Sequence, residues 1–403
     1  MDALETLRQR GFVQQITHEE ELAERLSAGP VTYYAGFDPT ADSLHVGHLL
    51  PVMAMAWMQR AGHRPIAVVG GGTARVGDPS GKTELRQMLT PDVIRANALA
   101  MKGQLSSFLD FSEGAGRMVD NSEWLLELNY IEFLREIGRL FSVNRMLTAE
   151  GYRMRLKSEQ GLSFIEFNYQ LLQAYDFLEL HRRYDCALQL GGDDQWGNIV
   201  AGTDLIRRKT GNRGFGLTQP LIMTASGAKM GKTAKGAVWL DPNKLSPFDF
   251  YQYWLNVDDA DVERMLKFYT FLDLDRIAAL GALKGKDIRE AKRVLAHEVT
   301  SLVHGTDEAT KAASGAKAMV SGAASAELPT HVLEADSMLV AILADAGLTK
   351  SRGEGRRLIK GGGVKLDGEK VADPEVIVQL SALGTDGLVA RVGKKRAVRI
   401  VAG

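Results

Sequence analysis

Three short apolar runs, each ending in glycines or a turn, constrain the fold most. VTYYAGF (31–37) runs into Asp38-Pro39-Thr40, PIAVVGGG (65–72) ends in three glycines, and DCALQLGG (185–192) leads into Asp193-Asp194-Gln195. A strand covered on both faces is apolar at successive positions and not only at alternate ones, as these runs are. Helical patterns lie between them, from Val46 to Met58, from Asn121 to Leu140 and from Ser163 to Leu180. Buried strands alternating with helices predict an α/β fold built on a doubly wound parallel sheet. Pro51 fits the first of these helices only if it sits in the opening turn, where a missing N–H is tolerated. Ligands of open sheets of this kind bind beyond the carboxyl ends of the strands. The polar residues that follow each run are therefore the first place to look for chemistry.

The rest of the 403-residue chain divides further. The pattern is helical and charged from Pro247 to about Val303. KAASGAKAMVSGAASAELP (311–329) is rich in Ala, Ser and Gly and reads as a linker. Beyond it, helical pieces (Ser337–Ala346 and Gly353–Lys360) alternate with β-prone ones. The expected organisation is an α/β body over 1–222, a helical region over 223–310, a linker over 311–333 and a small α+β tail over 334–403. Net charge is −1, but the tail from Glu334 carries 12 Lys/Arg against 9 Asp/Glu, a net of +3 on an otherwise acidic chain. A basic tail suggests nucleic acid. An apolar content of 45% excludes wholesale disorder, and the densest apolar stretch, Val52 to Met58, is too short to cross a bilayer. MDALETLRQRG has no apolar core of the kind a secretory signal needs. The lone Cys186 gives neither an internal disulfide nor a zinc framework, and the expected compartment is a reducing cytoplasm.

Five constellations could carry chemistry. His45-Val46-Gly47-His48 opens a helix just after a strand. It can be a pair of surface histidines, a fragment of a zinc site without its remaining ligands, or a nucleotide site. In the last reading the helix N-terminus faces phosphate, Gly47 lets a ligand approach, and Asp38 and Thr40 lie beside it. GDPSGKT (77–83) is no Walker loop, because the glycine that motif requires five residues before its Gly-Lys is replaced by Val76. It is either a solvated basic turn or a loop that carries Lys82 and Arg86 to phosphates. Tyr169, Gln173 and Asp176 share one face of an otherwise apolar helix, satisfied there by another polar core element or by a ligand's amine or hydroxyl. LGGDDQWGN (190–198) supplies acceptors for ribose, ammonium or amide groups. AKMGKT (228–233) sets Lys229 and Lys232 three apart in a glycine-containing loop that can follow a polyphosphate.

Together these residues resemble the class I aminoacyl-tRNA synthetases, most closely the tyrosine-specific enzymes of bacterial type. HVGH is similar to the class's HIGH element and KMGKT to its KMSKS loop. YAGFDPTADSLHVGH, GDPSGK, NYQLLQAYDF and LGGDDQWGNI are more specific, and residues 334–400 resemble an S4-like RNA-binding domain. The resemblance spans essentially the whole chain. Val46 replaces the isoleucine of HIGH, and Gly231 and Thr233 replace the serines of KMSKS. The resemblance implies a Rossmann-like catalytic domain, a helical domain and an S4-like tail. It also implies a tyrosine–tRNA ligase that uses ATP with Mg²⁺ as substrate, forms tyrosyl-adenylate and passes tyrosine to tRNA(Tyr), with no metal or organic cofactor held by the protein. By that resemblance Tyr34 and Asp176 meet the phenol of L-tyrosine. Asp78, Tyr169 and Gln173 hold its ammonium group, and Gln195 orients its carboxylate. Gly36, Asp38, Thr40, His45, Gly47, His48, Gly192 and Asp194 belong to ATP, and Lys82, Arg86, Lys229 and Lys232 to its pyrophosphate. Lys350, Arg352, Arg356, Arg357 and Lys360 face tRNA. A homodimer is implied, with the helical insertion near 117–160 at its interface. A tryptophan-specific enzyme on the same scaffold and a non-catalytic RNA-binding relative are the rival readings. The Tyr34–Asp176 pair argues against the first, and intact His45, His48, Lys229 and Lys232 against the second.

Overall fold

The computed structural model describes residues 2–80, 89–158, 161–223, 232–233, 236–321, 328–384, 387–393 and 396–403. These form two compact units, Met1–Lys244 with Asp258–Ala282, and Leu245–Val257 with Leu283–Gly403.

The first unit is built on a six-stranded sheet: β1 (Gln15–Ile16), β2 (Thr32–Phe37), β3 (Arg64–Val69), β4 (Arg117–Asp120), β5 (Cys186–Gly192) and β6 (Phe215–Gln219). Their order is β1-β6-β5-β2-β3-β4, all parallel except β1, which pairs antiparallel with β6 at one edge. From β2 the chain winds outward through β3 to β4, then returns to lay β5 against the other side of β2. The switch in direction thus falls between β2 and β5, where an open sheet leaves a crevice at its carboxyl ends. Tyr34, Ile66, Val68 and Val119 pack in one buried cluster with Trp124, Phe177, Leu178 and Leu180.

The helix after β2 spans Val46–Arg60. Contrary to the expectation for Pro51, the proline lies in the second turn and not the first. The carbonyl that loses its partner is that of Gly47, which is exposed and so can be hydrated. The predicted helix over 121–140 is three short pieces: Ser122–Leu125, Tyr130–Glu136 and a 3₁₀ turn at Gly138–Leu140. Asn129 interrupts it by accepting from the backbone N–H groups of Ile131 and Glu132, which starts a new helix. The helix Phe164–Tyr184 is continuous and is started by a capping box between Ser163 and Glu166. Glu166 also receives the buried Arg155 at 3.0 Å, tying the preceding helix Glu150–Lys157 to this N-terminus.

The expected boundary at 222/223 falls inside the first unit. Residues 238–240 hydrogen-bond to Leu44–Val46, and 258–282 fold back onto the same body. There the buried Arg10 donates to the carbonyls of Lys267, Thr270 and Leu272, and the Tyr269 hydroxyl to that of Val46 at 3.4 Å.

In the second unit, the stretch 311–333 read as a linker begins within the helix Thr306–Ser321 and ends in the strand Thr330–Leu333, while 322–327 lie outside the described residues. Ala309, Ala312 and Ala316 are buried at helical spacing, so small side chains here let helices approach closely instead of loosening the chain. The tail contains a five-stranded sheet in the order Glu369–Lys370, Val364–Leu366, Leu388–Val392, Arg396–Ala402, Thr330–Leu333. Helices Leu339–Asp345 and Arg352–Lys360 accompany it over a core that includes Leu339, Leu343, Ile359, Val364 and Ile400. Among the described residues no helix is long and apolar enough to cross a membrane.

Candidate active site

His45 caps the Val46–Arg60 helix with its own ring: Nδ1 accepts from the Gly47 N–H at 3.0 Å. His48 reaches back, its Nδ1 accepting from the His45 N–H at 3.3 Å. The two imidazoles stack with centroids 3.9 Å apart and planes 15° from parallel. A neutral ring whose Nδ1 accepts carries its proton on Nε2, so each is a donor there and has no lone pair left for a metal. This geometry suits anionic oxygen and argues against zinc. Among the described residues no group of three His, Cys, Asp or Glu is placed to hold a metal ion.

Asp38, at the end of β2, accepts from Thr73 Oγ1 at 2.7 Å and from the Tyr169 hydroxyl at 3.0 Å. The glycines after β3 make this approach possible. A Cβ on Gly70 would lie 2.1 Å from Asp38 Oδ1, and one on Gly71 would lie 2.3 Å from Asp120 Oδ1. Tyr169 was grouped with Asp78 by the resemblance; in the structure its hydroxyl bonds to Asp38, a residue expected on the ATP side.

Behind Tyr169, Asp176 is wholly buried. Its carboxylate accepts from Asn121 Nδ2 at 2.9 Å and Trp124 Nε1 at 2.7 Å. Burial pushes its pKa from 3.8 up to about 8, with the charges of Asp38 and Glu179 adding to the rise and the two donors opposing it. The Tyr34 hydroxyl, also buried, has no hydrogen-bond partner among the described residues. Burial first and the charge of Asp176 second raise its pKa well above 10. An unsatisfied buried hydroxyl beside a carboxyl group is costly unless a ligand completes it.

The third group surrounds Gln195. Its Nε2 donates to Asp78 Oδ2 at 2.7 Å, and its Oε1 accepts from Asn198 Nδ2 at 3.0 Å. Asn198 Nδ2 also donates to Gln173 Oε1 at 3.0 Å. Asp78 in turn caps the Ser80 N–H at 2.8 Å, just after Gly77 adopts φ +88°, a value that favours glycine. A Cβ on Gly192 would stand 2.7 Å from Asp194 Oδ1, so the glycine leaves that carboxylate its present position. Gly36 and Thr40 are exposed along the same edge. Alongside lies a cavity of about 670 Å³ whose lining includes Ser80, Asp193, Asp194, Asn198, Arg145 and Arg208.

The structure thus brings Tyr34, Asp38, Asp78, Tyr169, Gln173, Asp176 and Gln195 to the crevice at the switch between β2 and β5. Lys82, Arg86 and Lys229 lie outside the described residues, and Lys232 is placed only as part of the two-residue strand Lys232–Thr233. Thr73, Asn121, Trp124 and Asn198 were not singled out from sequence. Thr73 directly follows the triple glycine and Asn198 closes the GGDDQWGN run, so both stood within motifs. Asn121 and Trp124 had no such signal. In the tail, Lys350, Arg352, Arg356, Arg357 and Lys360 are all exposed on or beside the Arg352–Lys360 helix, with Arg356 paired to Glu375 at 3.2 Å.

A doubly wound sheet that gathers a capped double-histidine helix and a buried tyrosine–carboxyl pair at its switch point has the architecture of a nucleotide-binding enzyme. Residues 26–321 match the tRNA synthetases class I (W and Y), and the chain belongs to that family. Residues 339–383 match the S4 domain. Among its relatives, the tyrosine–tRNA ligase of Clostridium botulinum (strain 657 / Type Ba4) is 53% identical over 406 residues, covering 100% of this chain and 99% of the relative. That of Caldanaerobacter subterraneus subsp. tengcongensis is 52% identical over 405 residues, covering 100% and 99%. A C-terminally truncated mitochondrial tyrosyl-tRNA synthetase from Coccidioides posadasii superimposes with a TM-score of 0.68 at 33% identity, covering 78% of this chain and 91% of that one.

Proposed function

We propose that this chain is a tyrosine–tRNA ligase: it joins L-tyrosine to AMP at the expense of ATP, releases pyrophosphate, and transfers the tyrosyl group to the 3′ end of tRNA(Tyr). The observation that carries the choice of amino acid is the buried Tyr34 hydroxyl beside Asp176. A phenol laid between them donates to the carboxylate and accepts from Tyr34, satisfying both. Phenylalanine would leave the Tyr34 hydroxyl unpaired and would add no donor to Asp176 beyond Asn121 and Trp124, which is how such a site rejects it without a separate hydrolytic step. An indole has no oxygen to accept from Tyr34, which disfavours tryptophan.

In the first step the carboxylate of tyrosine attacks the α-phosphorus of ATP, forming the mixed anhydride as the bond to pyrophosphate breaks. Asp78, Tyr169 and Gln173 hold the ammonium group, and Gln195, itself pinned by Asp78 and Asn198, orients the carboxylate. His45 and His48 offer Nε2–H donors to the phosphates, and Asp194 faces the ribose. No side chain forms a covalent bond; positioning and stabilisation of developing charge account for the rate. Mg²⁺ arrives with ATP as part of the substrate. Lys82, Arg86, Lys229 and Lys232 are assigned to the departing pyrophosphate by resemblance alone. In the second step the terminal ribose hydroxyl of tRNA attacks the anhydride carbonyl and AMP leaves. The 670 Å³ cavity beside Asp194 offers room for that end of the tRNA, and the exposed basic helix of the tail supplies phosphate contacts.

The active species in this reading is a homodimer in the cytoplasm. Tyr130, Ile131, Val143, Leu156 and Phe164 are exposed apolar side chains within or beside the insertion, a concentration that a second copy would cover. The single buried thiol, Cys186, suits a reducing compartment. ATP–pyrophosphate exchange with each of the 20 amino acids tests the assignment. Tyrosine alone should support exchange; exchange with tryptophan, or with none of them, overturns it.

A further inference from the structure

Residues 238–240, just beyond the KMGKT run, lie antiparallel to Leu44–Val46. Val46 N–H donates to Val238 O and Leu240 N–H donates to Leu44 O, both at 2.9 Å, leaving His45 and Trp239 as the bridged pair between them. In an antiparallel ladder that pattern makes them a non-hydrogen-bonded pair, the class in which facing side chains stand closest on the same side. Accordingly the Trp239 indole sits 6.0 Å from the His45 ring at 57°. Lys244 Nζ lies 5.4 Å from the Trp239 ring centroid and forms an ion pair with Asp42 at 2.7 Å. The Asp241 N–H donates to Ser43 Oγ at 3.2 Å, adding a further tie between the two segments. His45 is therefore bounded by His48 on one face and by an indole that is itself braced from 42–44.

We propose that Trp239 is a positioning residue for His45 in adenylate formation, with the Lys244–Asp42 pair bracing the indole; this rests on the ligase reading above. Backbone pairing alone holds the main chain of His45. The indole limits where its imidazole can swing, and so fixes Nε2 against the phosphates. The contact is expected to act on the activation step and not on tyrosine binding or on transfer to tRNA, because Trp239 touches the HVGH element.

The test uses the full-length protein with Trp239→Ala, Trp239→Phe, Asp42→Asn, His45→Ala and the double variant His45→Ala/Trp239→Ala. Trp239→Ala should lower the single-turnover rate of tyrosyl-adenylate formation roughly ten- to hundredfold, the scale at which small misplacements of reacting groups act. The dissociation constant of tyrosine and the rate of transfer from preformed adenylate should stay within about twofold. Trp239→Phe should restore most of the rate and Asp42→Asn should show a smaller loss. The double variant should be no slower than His45→Ala, because Trp239 acts only through that ring. Additive losses in the double variant, or an equal loss of tyrosine affinity in Trp239→Ala, overturn the proposal. Should Trp239→Ala fail to fold by circular dichroism, Trp239→Leu takes its place alone and with His45→Ala, on the same criteria. A wild-type protein that makes no tyrosyl-adenylate overturns the ligase reading itself, whereas an active wild type with an unimpaired Trp239→Ala overturns only this proposal.

Discussion

Replacing Asp176 by Asn removes a titration that the structure places in an unusual range. Burial lifts this carboxyl from 3.8 to about 8 in the folded protein. Between those values the folded state holds a proton that the unfolded chain has released, so stability falls as pH rises through the window and levels off above about 8. At about 1.4 kcal/mol per pH unit, the loss attributable to this one group is of order 5 kcal/mol. Asn cannot ionise, and its single amide oxygen can satisfy only one of the donors from Asn121 and Trp124, a fixed cost of about 1–3 kcal/mol. The variant, less stable than wild type below about pH 4, should therefore draw level between about pH 4.5 and 6 and be more stable by roughly 2–4 kcal/mol at pH 8, with no further change above it. Urea unfolding at half-unit pH intervals measures it. Tyrosine binding should show the opposite trend. A phenol donating to the carboxylate favours its charged form, so wild-type affinity should rise with pH toward 8, by up to about tenfold per unit, and then plateau. The variant should bind weakly with no such slope. Parallel stability profiles for the two proteins, or a wild-type affinity for tyrosine flat between pH 6 and 8, would refute the reasoning.

Tyr34→Phe removes a hydroxyl that has no partner among the described residues, so stability should hold or rise by about 1 kcal/mol while tyrosine kcat/KM falls and discrimination against phenylalanine narrows; a loss of stability above about 1 kcal/mol would count against the assignment. Arg155→Met strands the buried Glu166 carboxylate and should cost about 3–5 kcal/mol by thermal or urea unfolding, whereas Arg155→Met with Glu166→Leu should recover much of it; equal losses in both would show that the ion pair is not what matters. Arg356→Ala with Arg357→Ala should leave ATP–pyrophosphate exchange untouched but weaken tRNA binding and flatten its dependence on salt, by about one phosphate contact per arginine lost. An unchanged salt slope would move tRNA contacts away from this helix.

What could be read in advance follows from how local each signal is. The apolar runs at 31–37, 65–72 and 185–192 announced β2, β3 and β5 because strands buried on both faces need no neighbour to declare themselves. The edge strand Arg117–Asp120 and the interior strand Phe215–Gln219 are short and mixed in character, and only pairing with β3, and with β5 and β1, defines them. Composition misleads over 311–321, the first part of the stretch 311–329, where Ala and Gly resemble a linker until a second helix lies against them. The site divides the same way. Tyr34, Asp176, His45 and Asp194 stand in motifs whose spacing is visible along the chain. Asn121 and Trp124 reach Asp176 from 55 and 52 positions away, and Trp239 reaches His45 through a two-bond ladder. No periodicity records contacts of that range.

The tail carries a consequence for how the protein is made. Strand Arg396–Ala402 lies between Leu388–Val392 and Thr330–Leu333, and its register sets Arg399 beside Thr330 and Ala402 beside Leu333. Among the described residues Thr330–Leu333 has no other neighbour in that sheet, so from the moment it is synthesised it must wait for a partner made nearly seventy positions later. The α/β unit is complete by Ala282 and can fold as the ribosome proceeds, whereas this small domain cannot close until 396–402 have cleared the exit tunnel. A nonsense codon only a few triplets before that strand would leave the catalytic body finished and the tail unfolded, a product that keeps its adenylate chemistry yet is marked for proteolysis by its open sheet edge.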